Sequence, residues 1–158
     1  MTMALTGIVT TDLAAVTRGR WLPAARYEAG AETGIGWLPA NLSLTLFGGI
    51  ANPNPWGSTG DLRVIADRDA RYRTAATGAE SVFDIVMGDI VELDGTPWPC
   101  CPRTLLREAV AALRAQTGLS LRMAVEQEFQ IFGAGYPPAH PLSVEALRRA
   151  DPLAPQLM

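Results

Sequence analysis

Two carboxylates separated by one residue, Glu126 and Glu128, are the strongest candidates for chemistry in this sequence. Apolar and polar residues alternate across residues 119–132, and this alternation predicts a long strand. Residues i and i+2 of a strand point the same way, so the carboxylates would stand about 6.6 Å apart on one face. Oxygen ligands at that spacing suit hard cations such as Mg²⁺ or Mn²⁺. The alternative is a solvated acidic face, neutralised in part by Arg122.

The composition limits which other chemistry the chain can perform. Its 158 residues include 13 basic ones, all arginine, so a lysine phosphate-binding loop and lysine Schiff-base chemistry are excluded. A net charge of −3 argues against nucleic acid as the main partner. No apolar run is long enough for a membrane span and no secretory signal is recognisable, so we expect a cytoplasmic protein. The cysteines, Cys100 and Cys101, are adjacent and are expected to stay reduced.

The first half of the chain has strand and turn signals. Residues 4–13 and 20–24 predict a hairpin whose turn lies at residues 17–20. Alternating leucines predict a strand over residues 37–47. Residues 48–60 are rich in Gly, Pro and Asn and predict a long loop.

Three more strands are expected next, over residues 62–66, 72–76 and 82–93, the last ending in a turn at Asp94-Gly95. The last strand is predicted to place one set of apolar side chains on a common face: Phe83, Ile85, Met87, Val91 and Leu93.

Helical signals are fewer. Residues 25–31 predict a short helical or irregular stretch. A longer helix is predicted to begin at Pro102 and to end at Gly118, with an apolar stripe that includes Leu105, Leu106 and Val110. Asp151-Pro152 would start another helix, and we expect the chain to stop inside an element that its fold continues.

Residues 124–132 (AVEQEFQIF) resemble the Glu-x-Glu-Phe metal-binding strand of glutamine synthetases. Residues 101–106 (CPRTLL) resemble the Pro-Arg helix that precedes that strand. Residues 17–20 (TRGR) resemble the Arg-Gly-Lys/Arg turn of the family's N-terminal domain. Residues 60–67 (GDLRVIAD) resemble its Asp-hydrophobic-x-hydrophobic-x-Pro-Asp segment, with alanine in place of the proline, and residues 95–99 (GTPWP) fit its Gly-x-Pro stretch.

The resemblance implies an α+β fold. A β-grasp domain would cover residues 1–97, and residues 98–158 would form the first helix and strand of an incomplete catalytic domain. It also implies that Glu126 and Glu128 bind Mg²⁺ or Mn²⁺. The metal would help to position ATP and glutamate while a γ-glutamyl phosphate forms and is attacked by an amine. Most of the ATP site and the catalytic residues would lie outside this chain.

One difference from the family concerns the amine. Where ammonia-using members have an Asp-Gly-Ser-Ser stretch, residues 36–41 read GWLPAN and contain no carboxylate. This stretch is more similar to the branch that joins glutamate to polyamines or other organic amines. The resemblance therefore favours an amine larger than ammonia, although an ordinary loop leading into a strand could have the same sequence.

Three functions remain open at this point. The chain could be part of a glutamate–amine ligase that works only in an assembly, either a homo-oligomer or a complex with a complementary catalytic chain, and is inactive alone. In the family, the β-grasp domain of one subunit completes the active site of its neighbour. The chain could instead be a non-catalytic truncated or assembly module. A free-standing metal-binding protein is the third possibility, although two carboxylates make a poor closed site.

Overall fold

A computed structural model describes residues 4–13, 15–30, 32–45, 49–75, 82–126 and 128. The chain divides into two units, Met1–Ser120 and Leu121–Met158. All regular elements within the described residues belong to the first unit. They are β1 (Leu5–Thr11), β2 (Thr17–Pro23), α1 (Ala24–Gly30), β3 (Ile35–Trp37), a 3₁₀ helix (Pro39–Ser43), β4 (Leu62–Ala75), β5 (Val82–Val91) and α2 (Pro102–Thr117).

The five strands form one mixed sheet in the order β2-β1-β5-β4-β3. Strands β1 and β5 are parallel at the centre, and the other neighbours are antiparallel. The expected α+β class is therefore confirmed, with a parallel central pair flanked by antiparallel partners. No helix within the described ranges is long and apolar enough to cross a membrane.

The first hairpin forms as predicted, but its turn lies elsewhere. Strands β1 and β2 pair from Thr11 opposite Thr17, so the chain reverses between these two residues and the predicted turn at residues 17–20 is wrong. Gly19 is needed there for close approach rather than for a turn. A Cβ at this position would lie 2.0 Å from the carbonyl oxygen of Ile8 on the facing strand.

The strand predicted over residues 37–47 does not form in the described part, which ends at Thr45. Strand β3 stops at Trp37, and Pro39 begins a 3₁₀ helix that buries Ala40 and Leu42. Proline explains the difference, because its ring fixes φ near a helical value and removes the N–H that a ladder needs. The predicted loop is confirmed over residues 49–60.

The strands predicted at residues 62–66 and 72–76 are parts of one strand, β4. Its pairing with β5 shifts register between Ala66 and Arg71, which is a bulge in the ladder. The break between the two predicted strands therefore marks this irregularity and does not mark a loop. Residue 76 lies outside the described part of the chain.

Strand β5 ends near its predicted boundary but buries the opposite face. Val86 and Ile90 are fully buried, whereas Ile85 and Met87 are only half-buried. Asp84 lies on the buried face with them because Arg71 pairs with it. The Asp94-Gly95 turn is confirmed by a backbone hydrogen bond from Gly95 to Glu92.

The core is built from the sheet together with side chains of α1, the 3₁₀ helix and the segment before α2. The buried members are Ile8, Tyr27, Ile35, Trp37, Leu42, Leu62, Val64, Val86, Ile90, Trp98 and Cys101.

Helix α2 begins at Pro102 and ends with Gly118 in the left-handed conformation, as predicted. Its apolar stripe is not covered within the first unit, since Leu106 is 57% exposed and Val110 is 37% exposed. The strand predicted at residues 119–132 is absent from the described part of that segment, residues 119–126 and 128. A strand needs a hydrogen-bonded neighbour, and no described residue pairs with this segment. The helix predicted at Asp151 lies outside the described residues.

Candidate functional site

The two predicted metal ligands lie in the second unit. Glu126 and Glu128 are exposed and belong to no helix or strand. Their oxygens are of the type that Mg²⁺ prefers, so they suit two positions of a larger ligand set. Within the described residues no group of three or more His, Cys, Asp or Glu side chains could hold a metal ion. Metal binding by this pair therefore stays a prediction.

A groove of about 640 Å³ opens on the first unit. Strand β2 supplies half of its ten lining residues, and β1, β3, β5, the 3₁₀ helix and Leu44 just after that helix contribute one each. Five of the lining residues have side chains with N–H donors, namely Arg18, Arg20, Trp21, Trp37 and Asn41. None of its lining residues is acidic. The groove therefore carries positive charge and hydrogen-bond donors.

Arg18 fixes one wall of this groove. Its Nε donates to Asp12 Oδ2 at 2.5 Å, and its Nη2 donates to the carbonyl oxygen of Thr45 at 3.0 Å. Asp12 is itself held, because its Oδ1 accepts from the backbone N–H of Val16 at 2.9 Å. These hydrogen bonds thus link the turn between β1 and β2 to Thr45, which lies two residues after the 3₁₀ helix.

The loop after the groove is also held in place. Asn54 Oδ1 accepts hydrogen bonds from the hydroxyl of Ser43 at 3.1 Å and from the backbone N–H of Trp56 at 3.2 Å. The ring of Trp56 packs against Trp98 with centroids 5.6 Å apart. The contact of the partly buried Trp56 with the buried Trp98 therefore anchors a segment that is otherwise rich in turn-forming residues.

Trp37 is the most unusual polar group on the groove. Its side chain is 8% exposed, and its Nε1–H is buried without a hydrogen-bond partner among the described residues. Buried polar groups are normally satisfied, and each exception calls for an explanation. Asn41, four residues later in the 3₁₀ helix, lines the same groove.

Two of the motifs that carry the family resemblance meet in the fold. Arg103, in the first turn of α2, donates from Nη2 to Asp67 Oδ2 at 2.7 Å. Its Nε lies 3.1 Å from Asp89 Oδ1, and Arg107 donates to Asp89 Oδ2 at 2.6 Å. The bond to Asp89 raises the pKa of Arg107. These motifs therefore position α2 on the sheet.

A second ion-pair network lies beside α1. Arg71 binds both oxygens of the buried Asp84, at 2.9 and 2.8 Å, and Thr6 donates its hydroxyl to the same carboxylate at 3.0 Å. The hydrogen bonds from Arg71 lower the pKa of Asp84, although burial opposes this. Arg71 also bonds Glu28 at 3.0 Å and lies over the ring of Tyr27 at 5.2 Å. This network joins α1 to the sheet.

Sequence reasoning identified the stretch 36–41 and the motif containing Arg18, but it missed how they are connected. Asp12 and the carbonyl of Thr45 are the partners that make Arg18 part of the groove. The pair of Asp12 and Arg18 had one signal in the sequence, namely an acidic residue six positions before an arginine within a predicted hairpin. No sequence pattern marks the backbone partner.

Comparisons with known proteins give the family. Residues 2–98 match the glutamine synthetase N-terminal domain. The chain is 31% identical over 121 residues to gamma-glutamylpolyamine synthetase GlnA3 of Streptomyces coelicolor, which covers 76% of this chain and 25% of the relative. The chain thus spans about a quarter of that relative's length.

Solved structures agree with this assignment. A crystal structure described as a novel glutamine synthase homolog is 47% identical with a TM-score of 0.68, covering 73% of this chain and 28% of that one. A complex of GmaS with ADP shares the fold at a TM-score of 0.53 and 22% identity, covering 72% and 24%. The chain therefore belongs to the glutamine synthetase family and contains the N-terminal domain of that family.

Proposed function

We propose that this chain is the N-terminal part of an ATP-dependent ligase that joins the γ-carboxylate of glutamate to an organic amine. The observation that carries the proposal is the 31% identity to a gamma-glutamylpolyamine synthetase over 76% of the chain. The stretch at residues 36–41 supports an amine larger than ammonia, because it contains no carboxylate that could hold an ammonium ion.

We further propose that residues 1–97 form the β-grasp domain and that residues 98–158 begin the catalytic domain. The family match over residues 2–98 supports this boundary. The exposed apolar stripe of α2 also supports it, because a helix that opens a larger domain would bury this stripe against later elements. The ion pairs of Arg103 would then hold the start of the catalytic domain on the sheet.

In the proposed reaction, the γ-carboxylate attacks the γ-phosphorus of ATP, ADP leaves, and the amine displaces phosphate from the γ-glutamyl phosphate. Glu126 and Glu128 would bind Mg²⁺ or Mn²⁺, which offsets charge on the transferring phosphoryl group. Two carboxylates supply only part of such a site, so the remaining ligands must come from another part of the ligase. The same holds for the residues that bind ATP and glutamate.

Because the other metal ligands and the residues that bind ATP and glutamate would lie in another part of the ligase, the proposed function requires an assembly. A β-grasp domain that completes the active site of a neighbouring subunit needs either further copies or a complementary catalytic chain. We expect the 158-residue chain alone to be inactive and to become part of a working site only when a catalytic domain is supplied.

The experiment compares the purified chain alone with the chain mixed with a polypeptide that carries the catalytic domain of a close relative. Each sample receives ATP, Mg²⁺, glutamate and one amine, and mass spectrometry detects the γ-glutamyl amide. We expect product only in the mixture, with putrescine or another organic amine preferred over ammonia. Preference for ammonia would contradict the proposed amine class, and turnover by the chain alone would contradict the need for an assembly.

The metal ligands are tested in the same mixture. Glu126→Gln and Glu128→Gln should each raise the Mg²⁺ concentration needed for half-maximal activity by about tenfold or abolish turnover. Glu108→Gln is the matched control, because Glu108 is an exposed glutamate on α2. An unchanged Mg²⁺ dependence in the first two variants would contradict metal binding and would favour the alternative that Glu126 and Glu128 form a solvated acidic face.

A further inference from the structure

We propose that the groove on the first unit binds a small organic carboxylate, with Arg20 and the indole N–H of Trp37 as its recognition groups. The inference goes beyond the ligase reaction, because it concerns binding by residues of the first unit alone. It would hold whether or not the chain takes part in glutamate–amine ligation.

Arg20 supplies the charge that is available to a ligand. It lines the groove from β2 and is exposed, and within the described part of the chain no acidic group pairs with it. Arg18 beside it is already engaged by Asp12 and the carbonyl of Thr45. A guanidinium matches a carboxylate through paired N–H donors, so Arg20 is suited to an anionic group.

Trp37 supplies a neutral donor at a fixed position. The ring is held in the core at 8% exposure while it also lines the groove, so its N–H cannot turn toward water as a surface side chain would. That N–H has no acceptor among the described residues. An oxygen atom of a bound molecule would satisfy it and would remove the penalty of a buried unpaired donor.

The rest of the lining decides between an organic molecule and a bare inorganic anion. Val9, Trp21, Leu44 and Ile85 place apolar surface on the groove next to the donors. The volume of about 640 Å³ lies in the range of small-molecule sites, which combine apolar walls with a few polar groups. Phosphate would contact only the donors, whereas a carboxylate with an apolar body would use both surfaces.

The same lining disfavours a cation. No lining residue is acidic, and the carboxylate of Asp12 nearby is neutralised by Arg18 at 2.5 Å. A diamine would bring positive charge toward two guanidinium groups without a counter-ion. Like charges at short range are unfavourable, so we expect amines to bind this groove more weakly than carboxylates.

Binding is measured on the full 158-residue chain by calorimetry and by the ¹H–¹⁵N resonances of the indole groups. The probes are phenylacetate, the isosteric neutral phenylacetamide, inorganic phosphate and putrescine. We expect saturable binding of phenylacetate, at least about tenfold tighter than that of the other three, and a shift of the Trp37 indole resonance. Trp37→Phe assigns that resonance.

Arg20→Gln is the decisive variant, because an exposed strand residue can be changed without disturbing the core. It should weaken phenylacetate binding by about tenfold, whereas Arg26→Gln, an exposed arginine on α1 away from the groove, should leave it unchanged. Absence of saturation at about 10 mM, equal binding of phenylacetamide, or tighter binding of phosphate or putrescine would overturn the proposal. So would unchanged phenylacetate binding in Arg20→Gln.

Discussion

The guanidinium of Arg103 donates a 2.7 Å hydrogen bond to the carboxylate of Asp67, which lies 36 positions earlier in the chain. The bond joins the first turn of α2 to β4, and the contact with Asp89 extends the link to β5. Two sequence motifs that mark the family are therefore partners in the fold. Their shared role is to fix the position at which the chain leaves the sheet.

Arg103→Met should destabilise the first unit by about 1–2 kcal/mol, because the partly buried carboxylate of Asp67 loses its charged hydrogen-bond donor and that of Asp89 loses an ion-pair partner. Urea denaturation followed by tryptophan fluorescence measures the change. Arg107→Gln is the control, since its bond to Asp89 is more exposed, and it should cost about 0.5 kcal/mol or less. Equal effects of the two substitutions would show that α2 is not held by Arg103.

A double-mutant cycle separates the pair from the helix itself. When Arg103→Met is combined with Asp67→Asn, the losses should sum to more than the loss in the double variant, because the second substitution removes a partner that is already unpaired. Strict additivity would mean that the 2.7 Å contact contributes no coupling energy.

The buried pair of Arg71 and Asp84 should make stability depend on pH. Hydrogen bonds from Arg71 lower the folded-state pKa of Asp84 below its ordinary value of 3.8, so the stabilisation is fully present above that value. It is lost as the pH falls through the folded-state pKa. Asp84→Asn should therefore cost about 3 kcal/mol at pH 7 and progressively less than that below about pH 4.

Urea unfolding at pH 7 and at successively lower values tests this sign. Asp94→Asn is the matched control, because Asp94 also has a lowered pKa, through the backbone N–H of Thr96, but is exposed in a turn. It should change stability far less than Asp84→Asn at neutral pH. A difference between native chain and Asp84→Asn that grows toward low pH would refute the proposed role of Arg71.

The helices and strands of this fold were predictable where residues close in sequence determine where an element begins and ends. Helix α2 has Pro102 in its first turn and Gly118 after its last, and it forms between them. Strand β3 and the 3₁₀ helix were misread because alternating leucines predicted a strand while Pro39 changed the backbone. Hydrophobic alternation indicates which side chains would share a face of a strand, but a single proline can prevent the backbone from forming that strand.

Contacts between residues that are far apart in the chain determine the features that the sequence did not predict. The buried face of β5 carries Asp84. From the sequence alone an aspartate is expected to face solvent, but in the fold Arg71 on the neighbouring strand pairs with it. The groove depends likewise on Arg18 reaching the carbonyl of Thr45. The metal-ligand prediction for Glu126 and Glu128 came from resemblance, since two carboxylates in sequence do not determine the neighbours that complete a site.

Gly19→Ala should disrupt the first hairpin. The added Cβ would lie 2.0 Å from the carbonyl oxygen of Ile8, so the backbones of β1 and β2 must separate, at a cost above about 2 kcal/mol. Gly36→Ala is the control, because its Cβ would approach only the end of the Arg63 side chain, at 3.8 Å. Thermal unfolding monitored by circular dichroism compares the two variants. A Gly19→Ala protein as stable as Gly36→Ala would show that the strands can part at little cost.

The adjacent cysteines should react very differently with an alkylating reagent. Cys101 is fully buried and its sulfur accepts the backbone N–H of Ile90 at 3.2 Å, whereas Cys100 is only half-buried. Iodoacetamide should therefore label Cys100 at least about tenfold faster than Cys101 in the native chain, because Cys101 must wait for unfolding of the core. Peptide mass spectrometry distinguishes the two sites. A Cys100→Ser chain should stay unlabelled until urea is added, and rapid labelling of that variant without urea would mean that the segment before α2 opens independently of the sheet.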